Sequence, residues 1–222
     1  MTRTNYHHLF DVYWPVGVGV GVVVWAAVLL VLFRYRASRV GDKWPTGRAE
    51  NTPLEVGYAL LIAAVVAMLL YFTYTTMDDY AGAASNGSAS EVVKVTGAQW
   101  NWRFDYPKYG IVSQGEGAGR ILPTLTVPVD TPIRFHGTSQ DVIHSFLIPH
   151  ERFQRQVFPG RTTDWTMSFD RDWLGFHRQG GECVQFCGLY HSYMKFNVEV
   201  LSKEEFRHWV NEHRTPSTEG SS

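Results

Sequence analysis

"CVQFCGLYHSYM", Cys183 to Met194, holds both cysteines of a 222-residue chain, four positions apart. His191 follows the second cysteine by four residues, and Met194 follows that histidine by three. Three chemistries compete for such a segment. A Cys183–Cys187 disulfide would close so short a loop that it would remove little chain entropy and stabilise little. Zinc accepts Cys and His, but its structural sites usually draw on a second matching pair, and no further cysteine exists. Thiolate, imidazole and thioether together are the ligand set of electron-transfer copper sites, with Met as a weak axial ligand. A mononuclear site of that kind needs one cysteine. Two on one loop can bridge two metal ions, provided a second imidazole comes from elsewhere. His136, His144, His150 and His177 are the candidates, and spacing alone does not choose among them.

Around this segment the chain reads as β structure. "WNWRFDY" alternates Trp100, Trp102, Phe104 and Tyr106 with polar residues, and "KFNVEV" alternates Phe196, Val198 and Val200 likewise. Period two marks strands with one buried face. Further strands are expected at 92–97, 121–128, 131–137, 142–148 and 163–169, punctuated by "GEGAG", "VPVDTP" and "FPGR". Several short strands with such turns predict a β-sandwich or barrel. A helix is expected at 203–213, where Ser202 and Glu205 fit the S-x-x-E capping box.

The N-terminal third differs. Val16–Phe33 and Val56–Tyr74 carry no charge over 18 and 19 residues, close to the roughly 20 that cross a bilayer as a helix. Neither shows the polar stripe of a core helix. The first ends in "RYR", unlike a cleaved signal peptide. Gly17, Gly19 and Gly21 permit close helix contact. Between the spans lie Arg34, Arg36, Arg39, Lys43 and Arg48, which predicts that the loop at 34–55 is cytoplasmic. Both termini and everything after residue 76 then lie outside, where disulfides are permitted. The expected organisation is a two-helix membrane hairpin at 1–77, a small polar linker at 78–91, a β domain at 92–214 and a flexible tail at 215–222. The formal charge of −1 gives no reason to expect nucleic acid.

With these parts in order, the chain resembles subunit II of the haem–copper cytochrome c oxidases. The cysteine segment resembles that family's binuclear CuA motif, and "SQDVIHSFLIP" (139–149) its other ligand segment. "QWNWRFDY" resembles its aromatic segment, "NTPLEVGY" the start of its second membrane helix, and the "FPGR" turn also matches. The resemblance implies two transmembrane helices followed by a cupredoxin-like Greek-key β-sandwich, in a prokaryotic cell membrane. It implies two copper ions bridged by Cys183 and Cys187, with His144 and His191 binding one copper each. Met194 and the backbone carbonyl of Gln185 become the weak ligands. His191 would also face subunit I. Many members carry Glu at the position of Gln185, where the carboxylate helps to hold magnesium. Gln offers oxygen without charge, and hard divalent cations favour carboxylates, so the resemblance to the B-type branch leaves magnesium doubtful.

The resemblance further implies that Trp100 is where electrons enter from cytochrome c or a small copper protein; pattern alone would make it a core aromatic. Asp141 and Glu182 are candidates for a docking surface, although the outer domain is only mildly acidic, with 17 acidic and 14 basic residues after position 76. Glu55, at the mouth of the second span, is either a helix-end residue or the entrance of a proton path. Phe186, Leu189 and Tyr193 are expected as an apolar shell that keeps water from the metals. The implied function is to take electrons from the donor and pass them to the haem of subunit I, where oxygen reduction is coupled to proton translocation. A CuA-type nitric oxide reductase would use the same module and differ in its large subunit. A membrane-tethered copper-binding or delivery protein would instead exchange copper readily and lack a tight membrane partner.

Overall fold

The computed structural model describes residues 3–36, 50–86 and 89–214. Most of the expected basic loop and the whole of the expected tail fall outside them. The chain divides into two compact units, one of them residues 4–79.

That unit is built on two helices, α1 (Arg3–Arg34) and α2 (Thr52–Asn86). Their apolar side chains face outward all round: Leu30 and Leu61 are each 66% exposed. A soluble core helix would cover such residues, so both helices fit a membrane anchor. Within the hairpin the Tyr13 hydroxyl donates to the Leu69 carbonyl at 3.1 Å and lies 2.6 Å from Thr73 Oγ1. Asn51 caps α2 by accepting the Leu54 N–H on Oδ1 (3.3 Å), while Glu55 Oε1 accepts the Asn51 N–H (3.2 Å). The α2 helix continues through 78–86, into the stretch expected as a linker. Alanines within that stretch sustain helix where its Gly, Ser and Asn content suggested a turn.

The second unit is a sandwich of two five-stranded sheets. One runs β3 (Ile111–Gln114), β2 (Asn101–Tyr106), β1 (Glu91–Ala98), β5 (Ile133–Ser139), β8 (Thr163–Met167). The other runs β4 (Thr124–Pro128), β10 (Lys195–Leu201), β9 (Gly175–Cys183), β6 (His144–Ile148), β7 (Phe153–Val157). This is the cupredoxin-like architecture expected, with β3, β7 and β9 added. The period-two segments do what alternation requires: Trp102, Phe104 and Tyr106 on β2, and Phe196, Val198 and Val200 on β10, all point inward. Phe146 lies at the centre of the core, stacked 4.9 Å from Phe196 and edge-on to Trp102 at 5.8 Å. The α3 helix (Lys203–His213) closes the domain, and Ser202 and Glu205 make both bonds of the capping box.

Candidate metal centre

The sheets bring the chemistry-bearing residues to strand ends. His144 opens β6 and Cys183 closes β9, and the register pairs Phe146 with Cys183. The loop that follows carries Cys187, a 3-10 turn at His191–Tyr193, and Met194 before β10 begins. Local bonds shape this loop. Cys183 N–H donates to the Met194 carbonyl (2.9 Å), Val184 N–H to Ser145 (3.1 Å), and His191 N–H to Gly188 (3.1 Å). The buried Trp102 indole N–H also donates to the Met194 carbonyl, at 3.3 Å.

Of the four histidines left open by spacing, the structure brings only His144 to the cysteines among the described residues. His144, Cys183 and Cys187 offer ligand atoms within 4.8 Å of one another, all buried. Cys183 Sγ lies 3.9 Å from His144 Nδ1 and 3.3 Å from the Gln185 carbonyl oxygen. Cys187 Sγ lies 3.4 Å from His191 Nδ1 and 3.8 Å from Met194 Sδ. The two sulfurs are 4.0 Å apart and both cysteines are free, far from the roughly 2.05 Å of a disulfide. Every group in the implied ligand set therefore lies beside one of the two buried sulfurs. The other candidates are occupied elsewhere: His136 Nδ1 pairs with Asp164 at 2.6 Å, and His150 and His177 stack on Trp173.

The electrostatics suit a cation. Burial opposes a charge on His144, but contacts with Cys183 and Asp141 outweigh it and raise its pKa. Burial would likewise push the Cys183 thiol up, yet the His144 imidazole and the Ser145 backbone hold it below its ordinary range. Burial first, and then the neighbouring Cys183, push Cys187 up to about 12. Metal loading at neutral pH must therefore displace at least the Cys187 proton.

Asp141, expected at a docking surface, accepts the His144 Nε2–H on Oδ1 at 2.8 Å, which leaves Nδ1 free for a metal. Such an outer carboxylate fixes the tautomer and ring orientation of a ligating histidine. Its own burial is outweighed by the Gln99 N–H, His144 and the Val142 N–H, which lower its pKa. Glu182 is paired along the sheet with Lys195, at 3.9 Å. Trp100 is half-buried, and its indole N–H donates to the Cys187 carbonyl at 3.1 Å. The apolar shell expected of Phe186, Leu189 and Tyr193 is a correction: they are 79%, 78% and 60% exposed. The inner side of the loop is already filled by Met194 and Trp102, so these side chains turn outward.

A family model described as "Cytochrome C oxidase subunit II, periplasmic domain" matches residues 91–201, half of the chain. The chain belongs to the cytochrome c oxidase subunit II family. A probable cytochrome c oxidase subunit 2 of Streptomyces coelicolor is 28% identical over 87% of this chain and 70% of its own length. The cytochrome c oxidase subunit 2 of Cereibacter sphaeroides is 26% identical over 90% of this chain and 73% of its own. Among solved structures, the periplasmic domain of subunit II (CoxB) of Bradyrhizobium japonicum is 27% identical. It covers 57% of this chain and 95% of its own, with a TM-score of 0.49. As a family member the chain is subunit II of a haem–copper oxidase.

Proposed function

We propose that Cys183, Cys187, His144, His191, Met194 and the Gln185 carbonyl hold two copper ions as a CuA centre. The observation that carries this is that His144 Nδ1 lies by one buried free thiol, and His191 Nδ1 and the Met194 thioether by the other, with the two sulfurs 4.0 Å apart in a subunit II domain. Loaded, the centre supplies a one-electron relay between a soluble donor, cytochrome c or a small copper protein, and the haem of subunit I. Each residue has a part in that reading. The two cysteines would hold the coppers between them, Asp141 would hold the His144 tautomer, and Trp100 would link the surface to the Cys187 carbonyl. His191 is half-buried with the Phe186 ring 5.9 Å away, and Phe186, Leu189 and Tyr193 are exposed apolar groups of the same loop, suited to cover by a partner. The Gln185 side chain accepts from Gln156 Nε2 at 3.2 Å and offers no charge, so magnesium stays outside the proposal.

By the same reading, the basic residues between the spans put 34–55 on the cytoplasmic side, and the β domain with both termini would lie outside. Glu55 then stands on the side from which protons are taken, as the entrance of a proton path.

The experiment is copper loading of the purified chain. Two coppers per chain and an electron spin resonance pattern from one electron shared over two nuclei are expected. Cys187→Ser should abolish the shared state, while Met194→Leu should keep copper and shift its potential. One copper per fully loaded chain, or a single-copper hyperfine pattern, refutes the reading.

A further inference from the structure

Gln99 sits at the turn between β1 and β2, outside the ligand set, yet it touches both ligand-bearing segments. Its Nε2–H donates to the Cys187 carbonyl at 2.7 Å. Its backbone N–H donates at 2.7 Å to Asp141 Oδ2, the carboxylate whose other oxygen holds His144. With the Trp100 indole N–H, the Cys187 carbonyl receives two donors, the number its lone pairs accommodate. Gly188 makes room for this approach. Its φ is +114°, and a Cβ there would lie 3.1 Å from Gln99 Nε2 and 3.2 Å from the Trp100 ring.

We propose that Gln99 is a positioning residue for the metal centre, bracing Cys187 from outside and tying that brace through Asp141 to the His144 imidazole. The proposal rests on the CuA reading and adds a residue to it. Its physical basis is how little else holds the middle of the loop. Phe186 and Leu189 are mostly exposed and give the loop almost no packing. Hydrogen bonds to its backbone must therefore fix it. Cys187 is the residue where an error matters most, because Sγ lies within 4.0 Å of Cys183 Sγ, His191 Nδ1 and Met194 Sδ together. A loosened Cys187 carbonyl lets the Cα–Cβ direction swing, and all three separations change at once.

The test compares wild-type full-length chain with Gln99→Leu, which keeps size and loses the donor, and Gln99→Glu, which sets a carboxylate against the carbonyl. Gln99→Met, unbranched and of similar length, repeats the measurement should Leu disturb the turn. The readouts are transfer of copper to a chelator, the hyperfine pattern, the reduction potential, and thermal unfolding of the metal-free chain. The expected result is copper affinity about 10–100-fold lower in Gln99→Leu, lower still in Gln99→Glu, with an altered hyperfine pattern and a shifted potential. Metal-free unfolding should move little, since Gln99 is exposed. Wild-type copper release, hyperfine pattern and potential in both Gln99→Leu and Gln99→Met overturn the brace, whatever happens to unfolding. A wild-type chain that does not take up two coppers overturns the CuA reading, and the brace with it.

Discussion

Gly97→Ala tests how tightly the His144 imidazole is held. A Cβ at position 97 would stand 2.8 Å from His144 Cδ2, 3.1 Å from Cγ and 3.3 Å from Cβ. Ordinary contact begins at 3.4 Å, so the ring must give by about 0.6 Å. The backbone cannot yield instead, because Gly97 is paired to Trp102 on one side and Ser139 on the other. The ring has no free direction either. It is fully buried, with Trp102 edge-on at 6.0 Å and Asp141 bonded at Nε2. Overpacking of this kind costs about 1–3 kcal/mol. Replacing Gly by Ala in the unfolded chain returns about 0.4–1 kcal/mol. The steric term is the larger over most of that range, and the metal-free Tm should fall by a few degrees. A shift of that size exceeds the roughly 0.2 Å spread of metal–ligand distances, so on the CuA reading affinity should fall by about 10–100-fold. Thermal unfolding of the metal-free chain and chelator competition of the loaded chain measure the two effects. Wild-type values for both would show that the ring has space the structure does not grant it.

Three further outcomes are expected. Trp100→Phe should slow reduction of the copper centre at saturating donor more than it weakens donor binding, measured by stopped flow with binding followed separately; unchanged transfer would return Trp100 to a packing role. Glu55→Gln keeps the oxygen that accepts the Asn51 N–H, so α2 should keep its cap, while turnover and proton uptake of the assembled oxidase fall with normal reduction of the copper centre. Glu151, 3% exposed and with Oε1 lacking a hydrogen-bond partner among the described residues, is pushed up to about 7 by burial and then by Asp170. A carboxyl with a raised folded-state pKa contributes stability below its unfolded value, and that stability is lost as pH rises toward 7. The loss is at most about 3 kcal/mol, and Glu151→Gln should remove it, seen as a smaller difference between urea midpoints at pH 5 and pH 8 than in wild type.

The fold was legible where burial imposes a period. Trp102, Phe104 and Tyr106 announce β2 because every second side chain must face the core, and Val16–Phe33 announces α1 because lipid removes the polar stripe. The loop proposed to hold copper stands out through composition, since two cysteines, a histidine and a methionine have few other reasons to share twelve residues. Spacing could not select His144, because its nearness to Cys183 comes from the pairing of β6 with β9, a contact across 39 residues. Gln99 and the inward role of Asp141 were illegible for the same reason. A side-chain donor meeting a carbonyl 88 residues away leaves no periodic mark. The one available signal was that a glutamine adjoins Trp100 and a glycine adjoins Cys187. The exposure of Phe186 and Leu189 was misread because their apolarity says nothing about which side of a loop is already full.

On the proposed CuA reading, the placement of the site lets a short loop serve electron transfer without elaborate support. His144 and Cys183 belong to strand ends whose partners reach Phe146, at the middle of the aromatic core. Met194 precedes β10, and its carbonyl is held by both Trp102 and the Cys183 N–H. Three of the five side-chain donors thus move only if the sandwich moves. The remaining two, Cys187 and His191, lie on a loop whose Phe186 and Leu189 are exposed, and there the Gln99–Trp100 turn supplies two hydrogen bonds to the Cys187 carbonyl. A centre that changes charge by one electron gains most from ligands that do not shift with it, because rearrangement adds to the barrier at every transfer. Rigidity inherited from β6, β9 and β10 covers three of the five side chains, and the hydrogen-bonded turn braces Cys187. The half-buried His191, beside exposed Phe186, is the ligand left nearest the surface, where contact with a partner would restrict it further.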